Sequence, residues 1–149
     1  MARRYSVSGT DTNTAATTQL GITSTAAVRP KIYDLIIGSV ATPADNAGEY
    51  FLQRYTAAGT STPVTPQALD SGDPAATATA GVNHSAEPTY TANAILLRPS
   101  TNQRATFRWV AAPGGELILP ATAANGIGLL ANAIGGSAVA MSYVLHYEE

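Results

Sequence analysis

Cysteine is absent from this chain of 149 residues. That excludes disulfides, thiolate metal sites and cysteine nucleophiles, and it leaves the redox compartment open. Lysine is almost absent, with Lys31 standing alone. Charged residues make up 12% of the chain, about half the usual share of roughly 25%. The formal net charge is −2, which argues against a nucleic-acid partner held by phosphate neutralisation. No apolar run approaches the roughly 20 residues of a spanning helix, so no membrane partner is expected. The opening stretch, Met1 to Thr10, lacks the apolar core of a signal peptide, and export by that route is not expected.

Catalytic signatures are missing too. There is no Gly-x-Ser-x-Gly elbow, no Gly-x-Gly-x-x-Gly turn and no phosphate-binding loop. Asp70-Ser-Gly-Asp73 does not follow the alternating acidic spacing of a calcium loop. Asp45, Asp70, Asp73 and Glu87 fall in loop-like stretches and read as turn formers. No pair of carboxylates is singled out for glycoside cleavage. The expectation is therefore no enzyme, no cofactor and no metal.

What the chain has is small, weakly polar residues: 28 Ala, 19 Thr and 10 Ser. A surface so poor in solvating charge suits a protein that covers much of itself with copies or partners. Short apolar or alternating runs are separated by Gly, Pro, Asn and Asp, the rhythm of an all-β domain. Lys31–Gly38, Glu49–Tyr55, Thr89–Arg98, Arg104–Val110 and Ser137–Tyr147 read as strands. Ala112-Pro-Gly-Gly115 reads as a turn that returns Glu116–Leu119 as a hairpin partner of Arg104–Val110. Asn125-Gly126 and Gly135-Gly136 read as further turns. A helix within Thr65–Ala80 has only weak support. The pattern predicts a single-domain β-sandwich over residues 28–149.

Residues 1–27 differ in character. Tyr5 is their one aromatic, and Val7, Leu20 and Ile22 are the larger aliphatics between Ala2 and Ala27. Such a segment buries too little apolar surface to order itself, so it reads as an extended N-terminal arm that docks elsewhere. His84 reads as a polar loop residue. His146 falls on the strand face opposite Tyr143, Leu145 and Tyr147 and points outward. Trp109 shares the core face with Phe107, whereas Arg104 and Arg108 share the other face and suit contacts with a partner.

Three stretches carry a resemblance: Arg3-Arg4-Tyr5-Ser6-Val7-Ser8-Gly9-Thr10; Val28-Arg29-Pro30-Lys31-Ile32-Tyr33-Asp34-Leu35 with its Thr42–Asn46 loop; and Arg104–Pro120. In phrasing they resemble virion structural proteins of tailed bacteriophages, of the head decoration or cement type. The resemblance implies a jelly-roll-like sandwich, a homotrimer on the outer surface of the capsid, and the major capsid protein as partner. It implies no catalytic residues. Arg3, Arg4 and Tyr5 are the expected arm contacts, with Arg29, Arg104 and Arg108 as further subunit or shell contacts. The competing expectation is a receptor- or glycan-binding head of a tail fibre or spike. That reading needs exposed aromatics beside polar groups, with Tyr50, Tyr55 and Tyr90 near Asn83 and Glu87 as the set.

Overall fold

The computed structural model describes residues 2–149. They form two antiparallel sheets packed face to face, and no described residue is helical. The strands are β1 (Arg4–Thr12), β2 (Thr17–Thr23), β3 (Lys31–Ser39), β4 (Ala47–Ala57), β5 (Thr60–Val64), β6 (Gln67–Ala68), β7 (Thr79–Ala86), β8 (Thr89–Leu97), β9 (Ser100–Asn102), β10 (Phe107–Val110), β11 (Leu117–Ile118), β12 (Gly126–Ile134) and β13 (Ala140–Glu148). The first sheet runs β10-β3-β13-β1-β6, with β11 also on β3. The second runs β5-β7-β2-β12-β4-β8, with β9 also on β4. The β-sandwich read from the alternation is thus the fold.

The long strands nest from the two halves of the chain. β13 lies between β1 and β3, and β12 lies between β2 and β4. The segment between β4 and β8 is an excursion: β7 and β5 extend the second sheet beyond β2, and β6 extends the first beyond β1. That excursion closes one side of the sandwich. The other side ends on β8 in one sheet and on β10 and β11 in the other.

Alternation puts Tyr5, Val7, Leu35, Ile37, Tyr143 and Leu145 of the first sheet against Leu20, Ile22, Leu52, Ile127 and Leu129 of the second, all fully buried. A polar seam crosses this core. Tyr143 Oη donates to Gln19 Oε1 at 3.0 Å, and Asn13 Nδ2 donates to Tyr50 Oη at 3.1 Å. The Tyr50 and Tyr143 rings meet edge to face, 6.2 Å between centroids.

The expected N-terminal arm over residues 1–27 is corrected by this structure. β1 pairs with β13 over its whole length, from Arg4↔Glu148 to Thr12↔Ala140. β2 sits between β12 and β7. These strands need few large residues of their own because Tyr5, Val7, Leu20 and Ile22 occupy the inward positions and their neighbours supply the remaining apolar surface. The domain therefore includes β1 and β2.

The expected hairpin is corrected as well. β10 and β11 both pair antiparallel with β3, at Phe107↔Ile37 and at Leu117↔Ile32. They run in one direction as an interrupted edge strand. The Ala112–Gly115 turn is real: Gly115 N donates to Ala112 O at 2.8 Å, and Gly114 takes φ +81°. It bulges the strand outward without reversing it. Gly135-Gly136 likewise carries the chain from β12 in one sheet to β13 in the other. His84 lies on β7, not in a loop, and Thr65–Ala80 holds β6 and turns in place of a helix.

Candidate functional site

The outer face of the first sheet carries a band of charge. Asp34 on β3 is nearly buried, its side chain 4% exposed. Arg108 from β10 grips it with two hydrogen bonds, Nε to Oδ1 at 3.1 Å and Nη2 to Oδ2 at 2.7 Å. His146 Nδ1 lies 3.3 Å from the same Oδ2. The His146 ring tilts against Tyr33, 6.1 Å away, and the Arg4 guanidinium lies 5.7 Å from the Tyr33 ring centroid. Glu148 then takes Lys31 at 3.2 Å and Arg4 at 3.9 Å. Register builds this band, since Val110, Asp34, His146 and Ser6 line up across four strands.

The Arg108 hydrogen bonds hold the Asp34 carboxyl below the usual carboxylate range, against the opposing pull of burial, with His146 adding to the lowering. The folded state thus favours ionised Asp34 more than the unfolded chain does. That stability is present in full above the unfolded carboxylate value of about 3.9 and is lost as pH falls through the folded value below it. Arg108→Ala is expected to cost about 1–3 kcal/mol at neutral pH, because Asp34 stays buried with its main donor gone. It should also flatten the acid limb of stability. Urea unfolding between pH 2 and 7 reads both; an unchanged acid slope in the variant would refute this account of Asp34.

The outer face of the second sheet is built differently. Gly81, Gly21 and Gly128 fall opposite one another on β7, β2 and β12 and leave a shallow trough. Aromatic side chains lie over it. A β-carbon at Gly128 would overlap the Tyr90 hydroxyl, and one at Gly126 would overlap the Tyr55 ring and the Ile22 carbonyl. Tyr55 Oη is 2.7 Å from Thr23 Oγ1, and burial pushes its pKa up to about 12. Tyr90 Oη is 2.7 Å from Thr18 Oγ1, which in turn hydrogen-bonds Glu87 Oε2. The Thr18 amide donates to that same oxygen at 2.9 Å. His84 Nδ1 donates to Thr18 O at 3.0 Å, and burial lowers the His84 pKa. The His84 ring also lines a cavity of about 260 Å³ together with Tyr55, Ser61 and Thr79, and its second nitrogen is Nε2. No hydrogen bond reaches that nitrogen among the described residues. His84 therefore has neither a nucleophile nor an orienting carboxylate bonded to it.

Among the described residues no group of three or more His, Asp or Glu side chains is placed to hold a metal ion. No helix there is long and apolar enough to cross a membrane. No protein-family model, curated protein or solved structure matches the chain.

The residues singled out from the sequence scatter over the molecule. Arg3 is exposed and exchanges two backbone hydrogen bonds of 3.0 Å with Glu149. Arg4 is exposed beside Glu148. Tyr5 corrects the expectation of an arm contact. It is fully buried, stacks on Tyr147 at 5.5 Å and donates from Oη to Pro74 O at 3.1 Å. Arg104 is exposed in the turn before β10. Arg108 has its side chain 59% exposed but is already paired with Asp34. Arg29 is exposed at the mouth of a cavity that also holds Arg54. Local sequence carries no signal for Arg54, whose guanidinium donates to Ile118 O at 2.8 Å, nor for the outward cluster in which Glu49 takes Arg98 at 2.8 Å and Asn132 at 2.6 Å. The Asp34–Arg108 pair and the placing of Arg29 and Arg54 on one cavity depend on strand order, which local spacing does not carry.

Proposed function

We propose that this chain is a non-enzymatic virion structural protein, a decoration or cement protein that binds the outer capsid surface as a homotrimer and reinforces capsomer junctions. The observation that carries the reading is the unfinished side of the sandwich. There Val110 is 56% and Ile95 37% exposed, and Phe107, Trp109, Leu97 and Leu117 are only partly covered. The edge strands β8 and β10 end their sheets without a further neighbour. Apolar side chains beside free ladder groups favour association with another copy.

Two further observations support the reading. The orders β1-β13-β3-β10 and β2-β12-β4-β8 suit a jelly-roll wrapping, as the resemblance to head decoration proteins implies. Asp34 is held by Arg108 and His146, and Glu87 by Thr18, so neither carboxylate is hydrogen-bonded to a nucleophile poised for attack. The glycan-binding alternative has less support, since Tyr50 is fully buried and Tyr55 only 2% exposed, so neither offers a ring face to a sugar. Asn83 is turned to Asp11 at 3.1 Å. The mechanism would be linkage: a protein that binds only the assembled shell stabilises it by RT ln(1 + [L]/Kd) at each site, and a trimer multiplies its contacts.

The test is co-sedimentation with shells lacking the protein, read as copies per shell and as heat resistance of the particle. Saturation at a multiple matching three-fold positions is expected. Light scattering of the Val110→Asp/Ile95→Asp double variant should read monomer, with binding reduced at least about tenfold because charge is forced into an apolar contact. Absence of binding to shells would sink the proposal. Unchanged association of the double variant would remove the β8/β10 edge from it.

A further inference from the structure

Arg29 and Arg54 share a cavity of about 300 Å³ that no Asp or Glu lines. Arg4, Lys31, Arg98 and Arg108 each lie within 4.0 Å of a carboxylate. Among the described residues the other four cations do not, and of these Arg3, Arg29 and Arg104 are exposed while Arg54 is half-buried. The cavity opens where β4 ends, β12 starts and the chain leaves β11. Arg54 reaches it half-buried from β4. Its Nη1 donates to Ile118 O at 2.8 Å, the one hydrogen bond of its guanidinium among the described residues. A guanidinium carries five N–H donors in a rigid fork, so Arg54 retains several, held in place by the Ile118 bond. Arg29 supplies a second guanidinium from the segment before β3, and Thr56, Thr91 and Asn125 supply hydroxyl and amide groups on the walls.

We infer that this cavity is an oxyanion site, taking one carboxylate or phosphate group between Arg54 and Arg29. A half-buried guanidinium facing space without a counter-ion, with a second one at the rim, favours an anion that brings two or more acceptor oxygens. The volume, equal to about ten waters' share of liquid, admits either group. Arg54 is the preorganised member, braced by β11. Arg29, exposed, closes on the ligand from the rim. The inference stands apart from the capsid reading, since it concerns only the chemistry of this cavity.

The experiment is a titration of the full chain with sodium phosphate and, separately, with sodium succinate. Ionic strength is held constant with sodium chloride, and backbone and arginine Nε–Hε resonances are followed by NMR. Saturable shifts confined to residues 29, 54, 91, 118 and 125 are expected for at least one anion. Arg54→Gln should weaken binding at least about tenfold, as loss of a charge-assisted pair does. Arg29→Gln should weaken it severalfold while leaving the melting temperature unchanged, so it remains a readout even if the Arg54 variant folds poorly. Tighter binding of succinate would mark a carboxylate from a neighbouring chain as the natural occupant. Tighter binding of phosphate would mark a free or esterified phosphate. Shifts that grow linearly with both anions, or that persist unchanged in the Arg29 variant and in any folded Arg54 variant, would overturn the site.

Discussion

A chain lacking residues 2–12 is expected to lose its cooperative urea transition altogether. β1 is bonded along its length to β13 on one side, and its Tyr5 and Ser6 pair with β6 on the other. Its removal takes out Tyr5 and Val7, both fully buried. Emptying such sites costs about 2–5 kcal/mol each, against a total stability of about 5–15 kcal/mol for an ordinary domain. It also strands one edge of β13 without hydrogen-bond partners and uncovers Tyr147. The contrasting variant is Arg3→Ala/Arg4→Ala, which keeps β1 and removes only exposed charge; it should fold with stability within about 1 kcal/mol of the parent. Far-ultraviolet circular dichroism and urea unfolding distinguish the two. A truncated chain that still unfolds cooperatively at a similar midpoint would restore the arm. The proposed shell binding, if it involves Arg3 and Arg4, is therefore read with the substitutions and not with the truncation.

Gln19→Ala is expected to destabilise the protein by about 2–4 kcal/mol, combining an orphaned buried hydroxyl with a small void. Gln19 is fully buried and joins the sheets through Tyr143 Oη, while its Nε2 donates to Thr17 O at 3.0 Å and to Thr17 Oγ1 at 2.7 Å. Truncation removes the Gln19 acceptor from Tyr143 Oη inside the buried core. Gln19→Leu with Tyr143→Phe removes both partners while keeping most of the volume, and it should recover to within about 1 kcal/mol of the parent. The double-mutant cycle by urea unfolding checks this. Strictly additive losses would show that the hydrogen bond carries no coupling across the sandwich.

Much of the sandwich was legible because its central strands announce themselves. Ile32 to Ile37 and Met141 to Tyr147 carry alternating large residues, and both became fully bonded strands in the first sheet. Trp109 and Phe107 fell inward and His146 outward, as alternation requires. The N-terminal strands were hidden for a physical reason. Their alternation exists, as Tyr5-x-Val7 and Leu20-x-Ile22, but the residues between are Ser, Gly and Thr, which also compose disordered arms. Gly9 is small because another side chain occupies the space: a β-carbon there would overlap Val82. Local composition cannot report that a neighbour supplies the missing bulk. The charged sites were illegible for a related reason. Asp34 and Arg108 each look like an ordinary solvated residue until the β3–β10 pairing brings them together. The Ala112–Gly115 turn is legible as a turn, but its consequence is not, because a turn's sequence does not say whether the chain reverses after it.

The pairing of β1 with β13 also sets a timetable. During synthesis β1 emerges early, and its nine-residue partner is made only at the far end of the domain. Until then, β6 offers it two residues in the same sheet. β3 waits for the same partner, and β2 and β4 wait for β12. Neither sheet can close while the ribosome is still elongating the domain. Topologies with such distant pairings fold in milliseconds to seconds, and their unpaired strands are exposed meanwhile to copies on neighbouring ribosomes. The scarcity of large apolar residues in β1 and β2, which disguised them as an arm, would keep the nascent chain from sticking before its partners arrive.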